Sequence, residues 1–397
     1  MKRKTYNKAY LKNKKRKLRR NRIIRNRIIF SIILLILLII SISYISNKII
    51  NKSTDNKDVT TISNDKSKNN ESIAKEPEKK DVLISFAGDC TLGTDTTFDQ
   101  STSLPTTVKA NGNDYSYIFK NVKPIFSKDD YTLVNLETTF TNSTEKVDKG
   151  ASVQFHFKGP KEYSNILIEG SIEGVTVANN HIYDYGQKGF NDTINALKEK
   201  KIDITGEGHI IKKTIKGIKF GFLGYQAWDN SENTKAKIKK DIDDLKALGT
   251  QIIIPYFHWG IERENKPTNY QVDLAHFSID NGATMVLGSH SHVIQGLENY
   301  KGKLIAYSLA NFAFGGNSNP QDKKTFILQG KFNFSDNSLS DIEFKVLPAT
   351  ISSISSRNDY VPTLAKGESG KSILKFINSL SPTLDGKISE NYFKLSN

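Results

Sequence analysis

Seven residues of this chain have the chemistry of metal ligands or their proton-carrying neighbours, and they recur in one local setting: Asp89, Glu137, Asn180, His181, His258, His290 and His292. The densest pair lies in Thr284-Met-Val-Leu-Gly288-Ser-His290-Ser-His292-Val293, where an apolar run stops at a glycine and two histidines follow. Imidazole is the commonest metal ligand near neutral pH. A lone H-x-H pair is weak evidence, and its weight here comes from company, because the other short apolar runs also stop at polar, ligand-type residues. Carboxylates, an amide oxygen and imidazoles together suit a hard-to-borderline divalent ion such as Mn, Fe or Zn. A carboxylate can bridge two such ions about 3.5–4 Å apart, the separation that clamps an in-line displacement. The expected cofactor is therefore one or two divalent ions.

The elements that must position these residues read as an alternation. Val82–Phe86, Tyr131–Val134, Gly174–Ala178, Ile218–Leu223, Gln251–Phe257, Thr284–Leu287 and Leu304–Ser308 have the composition of strands. Helical spacing runs across Lys188–Lys200, across Ile238, Ile242, Leu245 and Leu248 before Gly249, and across Val272, Ala275 and Ile279 before Gly282. The fold class is thus α/β, and in such sheets ligands sit at the carboxyl ends of strands. That rule converges the ligand-type residues on one site. Pro255 is awkward deep in a central strand, which predicts a bulge or an edge position there. Phe326–Phe334 and Leu339–Leu347 read as further strands, and Ile373, Phe376, Ile377 and Leu380 as one late helix; no internal repeat is visible.

The rest of the chain excludes some functions and locates others. Of 397 residues, 57 are Lys or Arg and 42 are Asp or Glu, a net charge of +15. Residues 1–27 hold 14 of the basic residues and no acid, so the remainder is nearly neutral. A nucleic-acid face needs clustered excess positive charge, and no nucleic-acid partner is expected. One cysteine, Cys90, allows no intrachain disulfide. Ile28 to Ile45 is apolar and uncharged over a length that spans about 27 Å as a helix, near the roughly 30 Å hydrocarbon core of a bilayer. Residues 28–46 therefore read as a transmembrane anchor, with the basic tail 1–27 held in the cytoplasm. A signal peptide would be followed by a small-x-small cleavage site, and Ser46-Asn-Lys-Ile-Ile is not one. Residues 47–80 are too polar to bury a core and read as a disordered linker. The expectation is a single-pass membrane protein with its folded part, residues 81–350 and an extension 351–397, outside the cytoplasm.

Six motifs occur in order across residues 81–350: GD at Gly88-Asp89, NLE at Asn135–Glu137, ANNHIYDYG at Ala178–Gly186, HWGIE at His258–Glu262, GSHSHVIQG at Gly288–Gly296 and YSLANF at Tyr307–Phe312. Together they resemble the CapA family of poly-γ-glutamate capsule biosynthesis proteins, with a layered calcineurin-like metallophosphoesterase fold. The resemblance implies that Asp89 is the first ligand, Glu137 stands where a bridging Asp is usual, and Asn180, His258, His290 and His292 complete the metal set. It implies that His181 is the acid beside Asn180. Asp184 reads either as orienting His181 or as a capping or loop residue, Glu262 either as supporting the ligands or as a loop residue, and Asn135, Asn179 and Asn311 as supporting the ligands or meeting substrate. Thr91 fills the His position of the wider superfamily's first motif, Asp-x-His, Ile182 stands where an acid is common, and Ala310 stands where the family usually has Gly. By the same resemblance the expected partners are the membrane, an anionic envelope polymer and capsule synthetase membrane subunits.

His156, His209 and His276 match no motif and read as surface or hydrogen-bonded histidines. Trp259 reads equally as core or as a substrate platform, Cys90 as a buried small residue, and Tyr115–Phe119 as a loop staple. Two function classes stay open at this point. One is a metal-dependent hydrolase of a phosphoester or polymer linkage; the other is a non-catalytic scaffold of a polymer synthesis or export complex. Fold alone does not choose between them.

Overall fold

The structure, a computed structural model, describes residues 77–396. The basic tail, the anchor 28–46 and the linker up to residue 76 lie outside the described residues, and among the described residues no helix is long and apolar enough to cross a membrane. In chain order the strands are β1 (Lys79–Thr91), β2 (Tyr131–Leu136), a short ribbon of β3 (Thr139–Phe140) with β4 (Lys158–Gly159), β5 (Gly174–Thr176) and β6 (Asp203–Thr205). Then come β7 (Ile210–Ile215), β8 (Ile218–Gln226), β9 (Ile252–His258), β10 (Val286–Ser289), β11 (Leu297–Tyr300) and β12 (Lys303–Ala306). The last five are β13 (Asn311–Phe314), β14 (Lys324–Ser335), β15 (Ser338–Thr350), β16 (Thr363–Leu364) and β17 (Phe393–Lys394).

They form two large mixed sheets. One has the order β16-β15-β14-β1-β2-β5-β6, with β13 on β1 and β17 on β15; the other has the order β11-β12-β10-β9-β8-β7. Apolar side chains of both sheets meet in one core, where Phe86 of β1, Leu133 of β2, Phe222 of β8 and Ile254 of β9 are fully buried. Alternation puts the other faces against helices. Val134 and Val175 pack on Ile194 and Leu197 of the helix Gly186–Glu199. Ile253 and Phe257 pack on Ile242 and Leu245 of the helix Glu232–Ala247 and on Leu274 of the helix Asn269–Asp280. The result is a helix–sheet–sheet–helix sandwich, the mixed α/β layering read from the sequence. Residues 351–396 join the same core through Ile373 and Ile377 of the helix Gly367–Ser379 and through β16 and β17 on β15.

Three local expectations need correction. Strand β1 begins at Lys79, inside the stretch read as linker, because Lys79 and Lys80 pair with Ser335 and Phe334 of β14. It also continues past Phe86 to Thr91, with register breaks at Phe86/Asp89 against β2 and Asp89/Cys90 against β13. Asp89 thus sits in a bulged stretch, a device that re-aims side chains beside active sites. Strand β9 is interior and unbulged at Pro255, which faces Leu223 of β8 in register. Pairing with β10 starts only at Tyr256, so the missing N–H of Pro255 falls where one side of the strand has no ladder partner yet.

Candidate metal centre

The two sheets bring the carboxyl ends of β1, β2, β5, β9 and β10 to one place, and all six expected ligands are there. The convergence is tightest around two imidazole nitrogens. His258 Nε2 lies 2.6 Å from Asn180 Oδ1, 3.0 Å from His290 Nδ1 and 3.4 Å from Glu137 Oε1. His292 Nδ1 lies 2.9 Å from Asn311 Oδ1, 3.4 Å from Asp89 Oδ2 and 3.9 Å from Glu137 Oε2. Each cluster has four donor atoms, and the two oxygens of Glu137 face different clusters. Glu137 Oε1 is buried with no hydrogen-bond partner, a costly condition for a carboxylate oxygen and one that a cation relieves. The groups Glu137–His258–His290 and Asp89–Glu137–His292 each have ligand atoms within 4.8 Å of one another. The residues present therefore fit a pair of divalent ions sharing Glu137.

Local backbone makes the convergence possible. His290 and His292 both adopt positive φ, 93° and 57°. These conformations cost non-glycine residues on the order of 1–3 kcal/mol each and concentrate at functional sites. They turn the chain so that histidines two apart both reach the centre. Gly88 allows β1 to touch the strand-end loop before β13: a Cβ there would come 1.8 Å from the Ala310 carbonyl oxygen. Asp89 N–H donates to that same carbonyl at 2.9 Å. Ala310 itself has φ +62°, a conformation that strains a residue with a Cβ.

A second ring of polar groups orients the ligands. Asn135 Nδ2 donates to Asp89 Oδ1 at 2.7 Å and lies 3.2 Å from His258 Nδ1. Ser289 Oγ, 3.2 Å from the same Nδ1, accepts its proton in the tautomer that leaves Nε2 bare for a metal. Asn179 donates to Asn135 Oδ1 at 3.1 Å and its Oδ1 accepts the His181 backbone N–H at 3.1 Å. Thr91 Oγ1 donates to Glu137 Oε2 at 3.4 Å. Asn311 adds an amide oxygen to the second cluster. Glu262 is exposed, within reach of His290 and His292.

Charge follows from burial. Burial and then the Asp89 charge push Glu137 well above the usual carboxylate range. Burial tends to raise Asp89, but hydrogen bonds and charge from His292, and further bonds from Asn135 and Ser289, hold it below its ordinary value. Burial and the neighbouring imidazoles drive His258 well below its ordinary value and His290 to about 3. Both are thus neutral at physiological pH, the state a metal requires. For His292 burial works downward, but the Glu137 charge and the Asp89 bond and charge lift it to about 10.

Beside the clusters, His181 Nδ1 is bonded to Asp184 Oδ2 at 2.8 Å, and the ring packs on Phe157 at 4.5 Å between centroids. Asp184 is fully buried, accepts the Phe157 N–H at 2.7 Å and is paired with Lys149. Burial, opposed by Asp184, lowers the His181 pKa. Lys149 and Ser289 went unremarked in the sequence, as did Trp228, which is 45% exposed and stands edge-on to His290 at 4.7 Å. Ser289 had a visible cue, its place directly before the H-x-H pair; Lys149 and Trp228 stand on loops with none. The three remaining histidines take no part: His156 Nε2 is 2.7 Å from Val147 O, His276 pairs with Glu298, and His209 packs near Phe190. Trp259 is core, fully buried and stacked on Phe257, with Nε1–H donating to Tyr307 O at 2.9 Å. Phe119 is likewise core, and burial pushes the Cys90 thiol far up, leaving it inert.

Comparison with known proteins agrees with the motifs. The capsule biosynthesis protein CapA of Bacillus anthracis is 29% identical over 262 residues, covering 60% of this chain and 61% of that protein. The PGA biosynthesis protein CapA of Bacillus subtilis (strain 168) is 30% identical over 216 residues, covering 50% of this chain and 56% of that one. The match thus spans less than two thirds of either relative's length. A solved structure of a hypothetical protein from Thermus thermophilus aligns with a TM-score of 0.40 at 15% identity, over 67% of this chain and 99% of that one, too loosely to bear on the fold. Residues 83–316, more than half of the chain and every residue of the two donor clusters, match the family described as bacterial capsule synthesis protein PGA_cap, and the chain belongs to that family.

Proposed function

We propose that this is a membrane-anchored, extracytoplasmic, metal-dependent hydrolase of the phosphoesterase type, acting in the synthesis or export of a capsule or envelope polymer. The observation that carries the reading is the division of Glu137, one oxygen to each donor cluster. Asn180, His258 and His290 would hold one ion with it, and Asp89, His292 and Asn311 the other. When bound, such ions lower the pKa of water and neutralise charge on a phosphoryl oxygen. The remaining work falls to the chain. Ser289 fixes the His258 tautomer, Asn135 holds Asp89, and Asn179 ties that network to the His181 backbone. Hydrolysis joins a water oxygen to phosphorus, breaks the bond to the leaving oxygen, and moves one proton from the water to that oxygen. His181 is the proton carrier: Nδ1 is committed to Asp184, leaving Nε2 for exchange. Trp228 walls the His258–His290 side. The relatives' names carry capsule and PGA biosynthesis, and synthetase membrane subunits are the partners that such a role implies.

The test is hydrolysis of bis(p-nitrophenyl) phosphate by the full chain purified in detergent. Activity should vanish on chelation, return with Mn, and be absent from Glu137→Gln. A preparation that holds metal yet hydrolyses neither this ester nor an envelope polymer would leave only a scaffold role.

A further inference from the structure

On the His292 side the donor clusters open into a groove of about 1050 Å³, bordered at its inner end by His181, His292, Asn311 and Glu262. That volume exceeds a phosphoryl group many times over and is at the upper end for small-ligand sites, so a length of chain fits beyond the reacting atoms. One bank is aromatic. Phe98, Phe155 and Phe157 stand with ring centroids 5.4, 6.2 and 6.3 Å apart, and Phe155 keeps 43% of its surface exposed. The other bank is Asn317-Ser-Asn-Pro-Gln321, a run of amides and a hydroxyl. It lies low because Gly315 precedes it, where a Cβ would come 2.0 Å from the Gly93 carbonyl oxygen.

The charge balance of this lining is informative. Beyond His292 at the inner end, its cations are Arg263 and Lys324, and Lys324 is paired with Asp322 at 2.8 Å. Asp99 and Glu262 lie in the same wall. A γ-linked glutamate chain carries a carboxylate on every repeat. Filling the groove outside that inner end with it would set several carboxylates against one cation, Arg263, that has no ion-pair partner among the described residues, and beside two acids. A neutral chain with many hydroxyls meets no such penalty. Its C–H faces suit exposed aromatic rings, and its hydroxyls suit side-chain amides that both donate and accept. We propose that the groove binds an uncharged carbohydrate chain, so that the linkage brought to the ions is a phosphodiester on a glycan and not a bond within polyglutamate. The reaction in that statement rests on the hydrolase reading above; the ligand rests on the groove alone.

The experiment is ligand-observed NMR on the full chain in detergent with four probes: tetramers of glucose and of N-acetylglucosamine, a γ-linked glutamate hexamer, and a neutral tetrapeptide. At least one sugar tetramer should bind, with a Kd weakened roughly three- to tenfold in Phe155→Ala, on the scale of one aromatic contact. His258→Ala, which removes an expected ligand and leaves the groove, should bind it as wild type does. Binding of neither sugar, or Phe155-dependent binding of the glutamate hexamer or the peptide instead, overturns the proposal. The two readings fail separately. Sugar binding in a wild-type protein that cannot hydrolyse bis(p-nitrophenyl) phosphate counts against the hydrolase alone; hydrolysis without sugar binding counts against the groove alone.

Discussion

Replacing His181 by glutamine separates proton transfer from everything else the residue does. The backbone of His181 is held by the Asn179 side chain at 3.1 Å and by the Thr139 hydroxyl at 2.9 Å, neither of which the substitution touches. A glutamine amide can donate to Asp184 in place of Nδ1–H, which keeps the buried carboxylate bonded. The packing on Phe157 at 4.5 Å is lost, a cost of about 1 kcal/mol in stability that a thermal melt registers separately from rate. What disappears is the proton carrier, and general acid–base help is typically worth roughly 10²–10⁴-fold, or about 2.7–5.4 kcal/mol of barrier. That loss should depend on the leaving group. A p-nitrophenolate departs as a stable anion and needs little protonation, whereas an alkoxide from a glycerol phosphodiester needs a full proton. With the full chain in Mn, His181→Gln should lose that whole factor on the glycerol diester. On bis(p-nitrophenyl) phosphate it should lose much less, with bound metal unchanged by elemental analysis. Equal losses on the two substrates, or none on either, would refute the proton role.

Other expectations come from single positions. Asp129 is raised to about 7 by burial and the charges of Glu173 and Asp130, against hydrogen bonds from Ser85 and Thr132. The folded state therefore holds a proton that the unfolded chain releases near its ordinary value of 3.8. Stability from this group is full at low pH and is lost as pH rises toward about 7. Asp129→Asn should raise the Tm at about pH 8 and leave it unchanged at about pH 4, and a pH-independent difference would contradict the assignment. Ala310→Gly relieves a positive φ of 62° and should stabilise by about 1 kcal/mol in urea melts; a less stable variant would show that the Ala methyl is packed to advantage. For the anchor, protease added to intact wall-less cells should digest the folded part and spare the basic tail. A soluble form beginning near residue 47 would instead mean cleavage.

The site was legible in the sequence to the extent that it obeys a local rule. Each of Asp89, Glu137, Asn180, His258 and the His290–His292 pair follows or ends an apolar run, and strand ends collect ligands whatever the order of the strands. What depended on non-local pairing was hidden. Nothing near Asn311 says that β13 lies parallel to β1 with Asn311 opposite Asp89, which brings its amide to His292. The division of Glu137 between two clusters is likewise a property of two sheets meeting. Strand limits drifted for the same reason: β1 is longer than its apolar run because β14 and β13 pair its ends. Pro255 misled because a general rule about interior prolines ignores where pairing begins on each side. Lys149, Phe155 and Trp228 are set by loops, where composition carries no positional signal.

The central claim is that these clusters hold divalent metal, and elemental analysis of the full chain, purified without chelator, tests it most directly. The account predicts bound Mn, Fe or Zn in the wild type, a clear loss in each of His258→Ala, His290→Ala and His292→Ala, and unchanged content in His209→Ala and His276→Ala. A wild-type chain without divalent metal, or the same content in both sets of variants, would contradict it.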